Sequence, residues 1–353
     1  MAYTTIDNPE LYFQCKTYTG NGSTQTITFD NTDADLDADM IWLKASNHAY
    51  SHQLFDTVRG ATKLLNPEAY EQEQTLSGIT AFGTDSFDIG SDAGTNANTK
   101  TFVAWCWKAG TTGSGTTTGS GTGQSYSYSV NTTSGFSIMT YTGNGTANHT
   151  IPHHLGSTPE MFWVKIRSGD NNNWGTYHHK SNANPEQYAL YLDGNSAATD
   201  DIFMNDVAPT SSVINLSGGN YGNVNTNTYV SHCWSQVQGY SKFGSYKGNG
   251  NADGPFVYTG FKPAWIMTKI ISGTDNWQVC DNKRDIDNPV FSQLMPDLSD
   301  AQNDGDAKVD FLSNGFKIRK SGGSWNGSGS EFIYMAFAES PFVNSNGVPT
   351  TAR

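Results

Sequence analysis

The first residues suited to chemistry form an acidic loop. Asp33, Asp35, Asp37 and Asp39 alternate with alanine and leucine, and carboxylate oxygens gathered in a loop are the ligands that Ca²⁺ prefers. The spacing departs from the EF-hand pattern, because alanine and lysine stand where that loop needs glycine and glutamate. We therefore favour a solvated acidic turn and keep Asp35 and Asp37 as candidate metal ligands.

Histidines make the second candidate metal site. Five of the eight cluster in one part of the chain: His149, His153, His154, His178 and His179. Imidazole binds transition metals, but neighbouring residues of a strand point to opposite faces, so one of each pair can join a site. His153 and His178 are the candidates, and loop or interface histidines are the favoured interpretation. We predict no cofactor.

Two tryptophans are candidate sugar contacts. Trp174 and Trp277 occupy matching places, after Asn172-Asn and Asp275-Asn. An exposed indole can stack on a sugar ring, whereas a buried one would pack against an adjoining domain. We favour packing and keep both residues as candidate glycan contacts.

Catalytic patterns are weak. Acidic residues are plentiful, but most sit in Asn/Asp/Gly turns and no pair stands out as the two carboxylates of a glycosidase. No recognisable Ser/His/Asp spacing occurs, and Gly20-x-Gly22 is a turn signal without the context of a phosphate-binding loop. The prediction is a protein that is not an enzyme.

Composition indicates β-structure. The 353 residues are 36% hydrophobic and 15% charged, with 37 glycines, which is typical of short strands joined by turns. A net charge of −13 repels nucleic acid and anionic membranes. No apolar run is long enough to span a membrane, and Met1–Ile6 lacks the features of a secretion signal. We predict synthesis in a cytoplasm, no membrane insertion, and four unpaired cysteines.

Three sequence marks recur in the same order. The first is Tyr-x-Gly-Asn-Gly, at 18–22, 141–145 and 246–250; the second ends in a lysine, at Lys44, Lys165 and Lys269; the third is an apolar run, at 102–107, 229–234 and 332–337. The recurrence predicts three domains of about a hundred residues each.

The strand patterns predict an all-β fold of three tandem antiparallel β-sandwich domains, jelly-roll or lectin-like, with short helical turns. The best helix candidate is 66–74. We expect these parts: N-terminal attachment segment 1–15, repeat 1 at 16–109, flexible Gly/Ser/Thr-rich linker 110–134, repeat 2 at 135–238, repeat 3 at 239–340, and C-terminal tail 341–353.

Four parts of the chain carry a resemblance: the opening 1–14, the Tyr-x-Gly-Asn-Gly repeats, the segment 239–250 and the ending 334–342. Together they resemble virion proteins of marine tailed phages, which are often labelled tail fibre or minor structural protein. The resemblance covers essentially the whole chain. It implies a virion location, after synthesis in the host cytoplasm, and no established catalytic residues.

From this resemblance we expect a non-enzymatic fibre subunit of the tail or capsid that takes part in host adhesion, with a host surface glycan as a candidate partner. A homotrimer is expected, as is contact with other virion proteins through the N-terminal segment. The alternatives are a capsid decoration protein and, from a different class, a glycan-degrading tailspike-type enzyme.

Overall fold

The computed structural model describes residues 2–30 and 35–350. The chain is all-β, with 42% strand and 5% helix, and its sheets are antiparallel. This confirms the prediction of an all-β chain with antiparallel sheets. No helix among the described residues is long and apolar enough to cross a membrane.

Repeat 1 contains a four-stranded sheet in the order β1-β9-β3-β4, a three-stranded sheet β2-β8-β7 and a small hairpin β5-β6. A 3₁₀ turn, Pro9–Leu11, precedes β1. The elements are β1 Phe13–Thr19, β2 Gln25–Thr28, β3 Met40–Ala45, β4 Gln53–Asp56, β5 Lys63–Leu64, β6 Gln74–Thr75, β7 Ile79–Gly83, β8 Ser86–Ile89, α1 Ala93–Asn96 and β9 Thr101–Trp107.

Repeat 2 follows the same plan with additional strands at both sides. Its sheets run β10-β12-β13-β20-β15-β16-β17-β18 and β11-β14-β19. The elements are β10 Thr111–Thr116, β11 Thr118–Gly119, β12 Ser125–Asn131, β13 Phe136–Thr142, β14 His149–Pro152, β15 Met161–Ser168, β16 Gly175–His178, β17 Tyr188–Tyr191, β18 Thr199–Asp200, β19 Val213–Leu216 and β20 Thr228–Trp234, with 3₁₀ turns at Pro185–Gln187 and Asn220–Gly222.

Repeat 3 returns to the plan of repeat 1, with sheets β21-β27-β23-β24 and β22-β26-β25. The elements are β21 Ser241–Lys247, β22 Phe256–Tyr258, β23 Phe261–Ile270, β24 Gln278–Asp281, β25 Val309–Leu312, β26 Gly315–Ile318, α2 Gly323–Asn326 and β27 Glu331–Pro341.

The central strands of each larger sheet, such as β3, β15 and β23, are buried on both faces. In β3, Ile41 and Leu43 pack in a core that belongs to repeat 1 and lies against β2, β7 and β8. Met40 and Trp42 point the other way, into a second core that all three repeats share. A sheet covered on both faces needs continuous apolar strands, which confirms the prediction that the third sequence mark is a strand between two layers.

Eight of the nine tryptophans lie in the shared core: Trp42, Trp105, Trp107, Trp163, Trp174, Trp234, Trp265 and Trp277. The ring centroids of Trp42 and Trp163, from repeats 1 and 2, are 5.7 Å apart. Those of Trp105 and Trp265, from repeats 1 and 3, are 6.1 Å apart. The repeats therefore surround one aromatic core.

The Tyr-x-Gly-Asn-Gly motif is a turn held by a buried asparagine. In repeat 1 the Tyr18 hydroxyl donates to the Thr95 carbonyl, 2.7 Å away, and Asn96 Oδ1 accepts from the Asn21 N–H at 2.8 Å. A Cβ at Gly20 would lie 2.3 Å from the Ala97 carbonyl oxygen, so only glycine fits. Asn223 and Asn326 bind the turns of the other repeats in the same way. The motif is scaffold.

The predicted flexible linker is wrong, because 110–134 forms strands. β10 pairs with β12 and extends the sheet of repeat 2, while β11 pairs with β14. Gly113 lies opposite Tyr128 and Gly115 opposite Tyr126, and each glycine leaves the room that the facing tyrosine ring occupies. Backbone pairing needs no large side chain, so a Gly/Ser/Thr tract can form a strand when its neighbour supplies the aromatic rings.

The N-terminal segment is folded into the structure. Ile6 is buried, Phe13 belongs to β1 and stacks on Phe337 of repeat 3, and the Tyr3 hydroxyl donates to the Gly260 carbonyl at 2.9 Å. The segment's apolar residues therefore pack against other residues of this chain and do not form an exposed surface for a partner protein. The helix expected at 66–74 is also wrong: this stretch runs without helix until β6.

Candidate functional site: the seams between the repeats

Three equivalent hydrogen bonds define the seams between repeats. The N–H of Glu73 in repeat 1 donates to the Arg167 carbonyl of repeat 2 at 3.1 Å. Two bonds of the same kind follow, Ala198 to Ile271 at 3.2 Å and Gln302 to Ser46 at 2.8 Å. They define a first seam (repeats 1 and 2), a second (2 and 3) and a third (3 and 1). Since the third returns to repeat 1, the repeats form a closed ring.

The candidate glycan contacts lie in the seams and are buried. Trp174 and Trp277 are 0% and 1% exposed. Their indole Nε1 atoms donate to carbonyls of the preceding repeat, Asn66 at 2.9 Å and Tyr191 at 2.8 Å. Neither ring leaves a face open to a sugar, so the structure contradicts glycan stacking here. It supports the alternative of packing against the adjoining repeat.

His52 takes the same place in repeat 1. Its Nδ1 accepts from the Trp42 indole at 2.9 Å, which leaves the proton on Nε2. Nε2 then donates to the Met295 carbonyl of repeat 3 at 3.1 Å. Burial lowers the pKa of His52 well below its usual value, so the ring is neutral. Each repeat thus contributes one ring N–H to the carbonyl of another repeat.

The lysines of the second sequence mark are buried in the seams. Lys165 Nζ donates to the Ala69 carbonyl of repeat 1 at 2.9 Å and to the Asn172 carbonyl at 2.5 Å. Lys269 reaches the Ser196 carbonyl of repeat 2 at 2.8 Å, whereas Lys44 bonds carbonyls of its own repeat. Burial lowers the pKa of each of the three lysines to about 8.

A partly or fully buried carboxylate accompanies each of these lysines: Glu68, Asp193 and Asp297, in chain order. Each accepts the backbone N–H of the seam ring residue of its own repeat, at 3.0, 3.0 and 3.1 Å. Burial raises the pKa of Glu68 and of Asp297 to about 7 and also raises that of Asp193. The lysine amines bond loop carbonyls, and those of Lys165 and Lys269 thereby join two repeats.

An ionic cluster occupies the first seam. Asp56 Oδ2 accepts from Arg59 Nε at 2.5 Å and from His232 Nε2 of repeat 2 at 3.1 Å. Glu73 binds Arg59 Nη1 at 3.3 Å and Arg167 Nε at 2.9 Å. Two carboxylates thus meet two guanidinium groups across the seam, and the charges balance.

The second seam has none of these charges. His178 stands where repeat 1 has Asp56, and its Nε2 donates to the Tyr334 carbonyl of repeat 3 at 3.1 Å. Its Nδ1 accepts from the Lys180 N–H, and burial lowers its pKa to about 3. His178 is therefore a neutral seam residue with both nitrogens used, which contradicts its candidacy as a metal ligand.

The other candidate metal ligands do not lie together at one site either. His153 Nε2 donates to the Thr210 carbonyl at 3.1 Å and Nδ1 accepts the Leu155 N–H, while burial lowers its pKa to about 4. Asp35 and Asp37 are exposed, and Asp37 pairs with Lys108. Within residues 2–30 and 35–350 no three His, Cys, Asp or Glu side chains gather as metal ligands. Asp33 lies outside the described residues.

The remaining members of both candidate groups have structural roles. Asp39 is buried and accepts from the Thr57 hydroxyl at 2.7 Å and the Ala109 N–H at 2.8 Å. His149 bonds Asn223 and Thr117 through its two nitrogens. The four cysteines are free and buried.

Sequence reasoning missed the charged seam residues, although a signal was present. Asp56-x-x-Arg59 recurs as Asp281-x-x-Arg284 at the end of the matching strands β4 and β24. In both, the arginine Nε donates to the aspartate Oδ2, at 2.5 and 2.6 Å. The absence of the pair from repeat 2, where His178 and Ser181 replace it, hid the pattern.

Comparison with known proteins gave one family. A family model described as Domain of unknown function (DUF7483) matches residues 8–341, a stretch that contains all three repeats. No curated protein and no solved structure matches the chain.

Proposed function

Because the chain belongs to the DUF7483 family, whose description names no activity, we propose its function from the structure and the resemblance together: a non-enzymatic structural protein of a phage virion. We infer a surface-exposed fibre subunit of the tail or capsid that takes part in host adhesion. Its architecture would be three β-sandwich domains, jelly-roll or lectin-like, closed into a ring.

The observation that supports this proposal most is the shared tryptophan core. Eight large rings from three repeats pack in one cluster, and each fully buried aromatic side chain contributes on the order of 2–3 kcal/mol to stability. Such a core ties the repeats together without disulfides. A rigid body with polar loops suits a particle component that works outside the cell.

The polar chemistry of the described residues supports the same proposal. Lys165, Lys269 and the Asp56 cluster are engaged in contacts that join the repeats, and the carboxylates beside the lysines bond the backbone of the seam ring residues. A catalytic acid, base or nucleophile must reach a substrate, and these groups face neighbouring repeats instead. This favours a structural protein over the glycan-degrading enzyme, which remains the alternative of a different class.

Location on the particle is the decisive test. Immunogold electron microscopy of intact virions, with antibody against the purified protein, should label the tail or the capsid surface. Labelling spread evenly over the head would favour the decoration protein, and no labelling would contradict a virion role. Incubation with host polysaccharide should release no oligosaccharide; release would support the enzyme.

Assembly with other chains stays a prediction. A homotrimer is expected from the resemblance, but one chain already arranges three repeats around one core and could sit on a three-fold axis by itself. Light scattering distinguishes the 38.3 kDa monomer from a trimer. Contact with other virion proteins through the N-terminal segment would have to use residues left exposed there, such as Thr5 and Asp7.

A further inference from the structure

A cleft opens at the third seam. Its volume is about 360 Å³, within the range of small-molecule sites. Repeat 1 lines it with residues at the ends of β1, β3 and β9, and repeat 3 with the loop after β24. The lining residues that could bind a ligand are Thr17, Thr19, Thr101, Lys283, Arg284 and Gln302.

Arg284 is a buried cation with an unused donor. Its side chain is 3% exposed. Nε donates to Asp281 at 2.6 Å and Nη2 to the Val279 carbonyl at 3.2 Å. Nη1 has no hydrogen-bond partner among the described residues. The guanidinium also lies over the Trp105 ring, 5.9 Å from its centroid. A buried charged donor left unpaired is costly, so an acceptor from outside the chain would be stabilised here once it displaced the groups that cover Nη1.

The first seam shows what such an acceptor can be. Arg59 makes the same bonds as Arg284, from Nε to its aspartate and from Nη2 to a strand carbonyl. Its Nη1 donates to the Lys63 carbonyl at 2.8 Å and to Glu73 Oε2 at 3.3 Å. The chain itself thus places a carboxylate against the equivalent guanidinium group.

Two replacements remove that carboxylate and its second arginine from the third seam. The hydrogen bonds that define the seams put Gln302 in the place of Glu73 and Ser46 in the place of Arg167. Gln302 turns its amide nitrogen to Asp304 at 3.1 Å, and its Oε1 is buried without a partner among the described residues. The shorter Ser46 leaves space where an arginine lies in the first seam.

The replacements remove one negative and one positive charge together. In the first seam, Asp56 and Glu73 balance Arg59 and Arg167, and in the third seam Asp281 balances Arg284. The positive charge in excess at the cleft lining comes from the exposed Lys283, which stands where repeat 1 has Val58. The lining holds two cations and no carboxylate, and the exposed Asp304 accepts from the Gln302 amide at 3.1 Å.

We propose that this cleft binds a carboxylate-bearing sugar, such as a hexuronic acid. The ligand carboxylate would take the position that Glu73 has in the first seam and accept from Arg284 Nη1, with Lys283 adding charge. The hydroxyl groups of Thr17, Thr19 and Thr101 line the same opening and can bond the hydroxyls of a sugar ring. The proposal does not rest on a virion location.

Isothermal titration calorimetry on the full chain tests the site, with glucuronate, glucose and acetate as probes. Glucuronate should bind, more weakly as salt is added, since the attraction is electrostatic. Glucose lacks the carboxylate and acetate lacks the ring, so both should bind at least about tenfold more weakly. Equal binding of glucose, or no binding of glucuronate at millimolar concentrations, overturns the proposal; equal binding of acetate overturns the assignment of a sugar.

The key variant gives the third seam the carboxylate that the first seam has. Gln302→Glu supplies an internal carboxylate to Arg284 and should reduce glucuronate affinity about tenfold or more without lowering the melting temperature. Lys283→Ala should weaken binding, and Lys320→Ala, at a partly exposed lysine outside the cleft lining, is the control. Unchanged glucuronate affinity in a folded Gln302→Glu protein would show that the cleft is not the site.

Discussion

Asp56 of repeat 1 and His232 of repeat 2 are joined by a hydrogen bond of 3.1 Å between Oδ2 and Nε2, although 176 positions separate them in the chain. Burial alone would raise the pKa of Asp56, but Arg59 and His232 reverse this effect and hold it well below its usual range. Burial lowers the pKa of His232, so the ring is a neutral donor. The aspartate is therefore ionised inside the protein and depends on groups from two repeats.

We expect Asp56→Asn to lower the free energy of unfolding by about 3–5 kcal/mol, because it leaves Arg59 buried with less compensation. The folded pKa of Asp56 is depressed, so its contribution is present above the unfolded pKa, about 3.9, and is lost as pH falls through the lower folded value. Denaturant unfolding at pH 6 and pH 3 measures both. Asp253→Asn, at an exposed ion pair, is the control and should leave stability close to that of the parent.

Glu68 should show the opposite pH dependence. Burial raises its pKa from 4.5 to about 7, so its stabilising contribution is present below pH 4.5 and is lost as pH rises through 7. Glu68→Gln should therefore gain stability relative to the parent between these values, on the order of 2–3 kcal/mol. Unfolding midpoints at pH 4.5 and 7.5 measure it. Glu331→Gln changes an exposed residue and should have the same unfolding midpoint as the parent at both pH values. An equal shift of the midpoint in both variants would contradict the prediction.

Trp174→Phe should keep the packed ring and remove the indole donor to the Asn66 carbonyl. The Asn66 carbonyl keeps its bond from the Ala69 N–H, so the loss of one hydrogen bond should cost about 0.5–1.5 kcal/mol. Trp277→Phe should cost a similar amount at the Tyr191 carbonyl, which keeps the Gly194 N–H. Thermal unfolding of both variants checks this. Sugar binding should be unchanged in both, and a stable variant that had lost glycan binding would restore the stacking hypothesis.

Gly115→Val should destabilise the hairpin of β10 and β12, because a Cβ there would lie 2.8 Å from the Tyr126 hydroxyl oxygen. We expect a loss of about 1–3 kcal/mol, typical of overpacking, and faster cleavage within 110–134 by a nonspecific protease. Ser114→Val, at the neighbouring exposed position, should be tolerated. Equal cleavage of both variants would mean that the tract behaves as the flexible linker.

Ile6→Ala should lower the free energy of unfolding by about 2–5 kcal/mol, since Ile6 is buried in the shared core. Thr5→Ala, at an exposed neighbour, is the control. Urea unfolding of both proteins gives the comparison. An Ile6→Ala protein as stable as its control would indicate that the N-terminal segment is free for attachment.

The sequence by itself determined the local structure. Apolar runs such as 102–107 and the recurring Tyr-x-Gly-Asn-Gly turns predicted three all-β repeats, because strand periodicity and turn chemistry depend on neighbouring residues. The tract 110–134 was misassigned for the same reason: its strand depends on the facing tyrosines more than on its own side chains.

Only the tertiary structure decided how the repeats meet. Asp56 and His232, or Trp174 and Asn66, are brought together by closure of the ring, and no local spacing encodes such a contact. The two faces of a buried strand also look alike in sequence, since both are apolar. Packing between the repeats decides which face of a strand lines the core of its own repeat and which face lines the shared tryptophan core. The same packing buries Trp174 and forms the cleft beside Arg284.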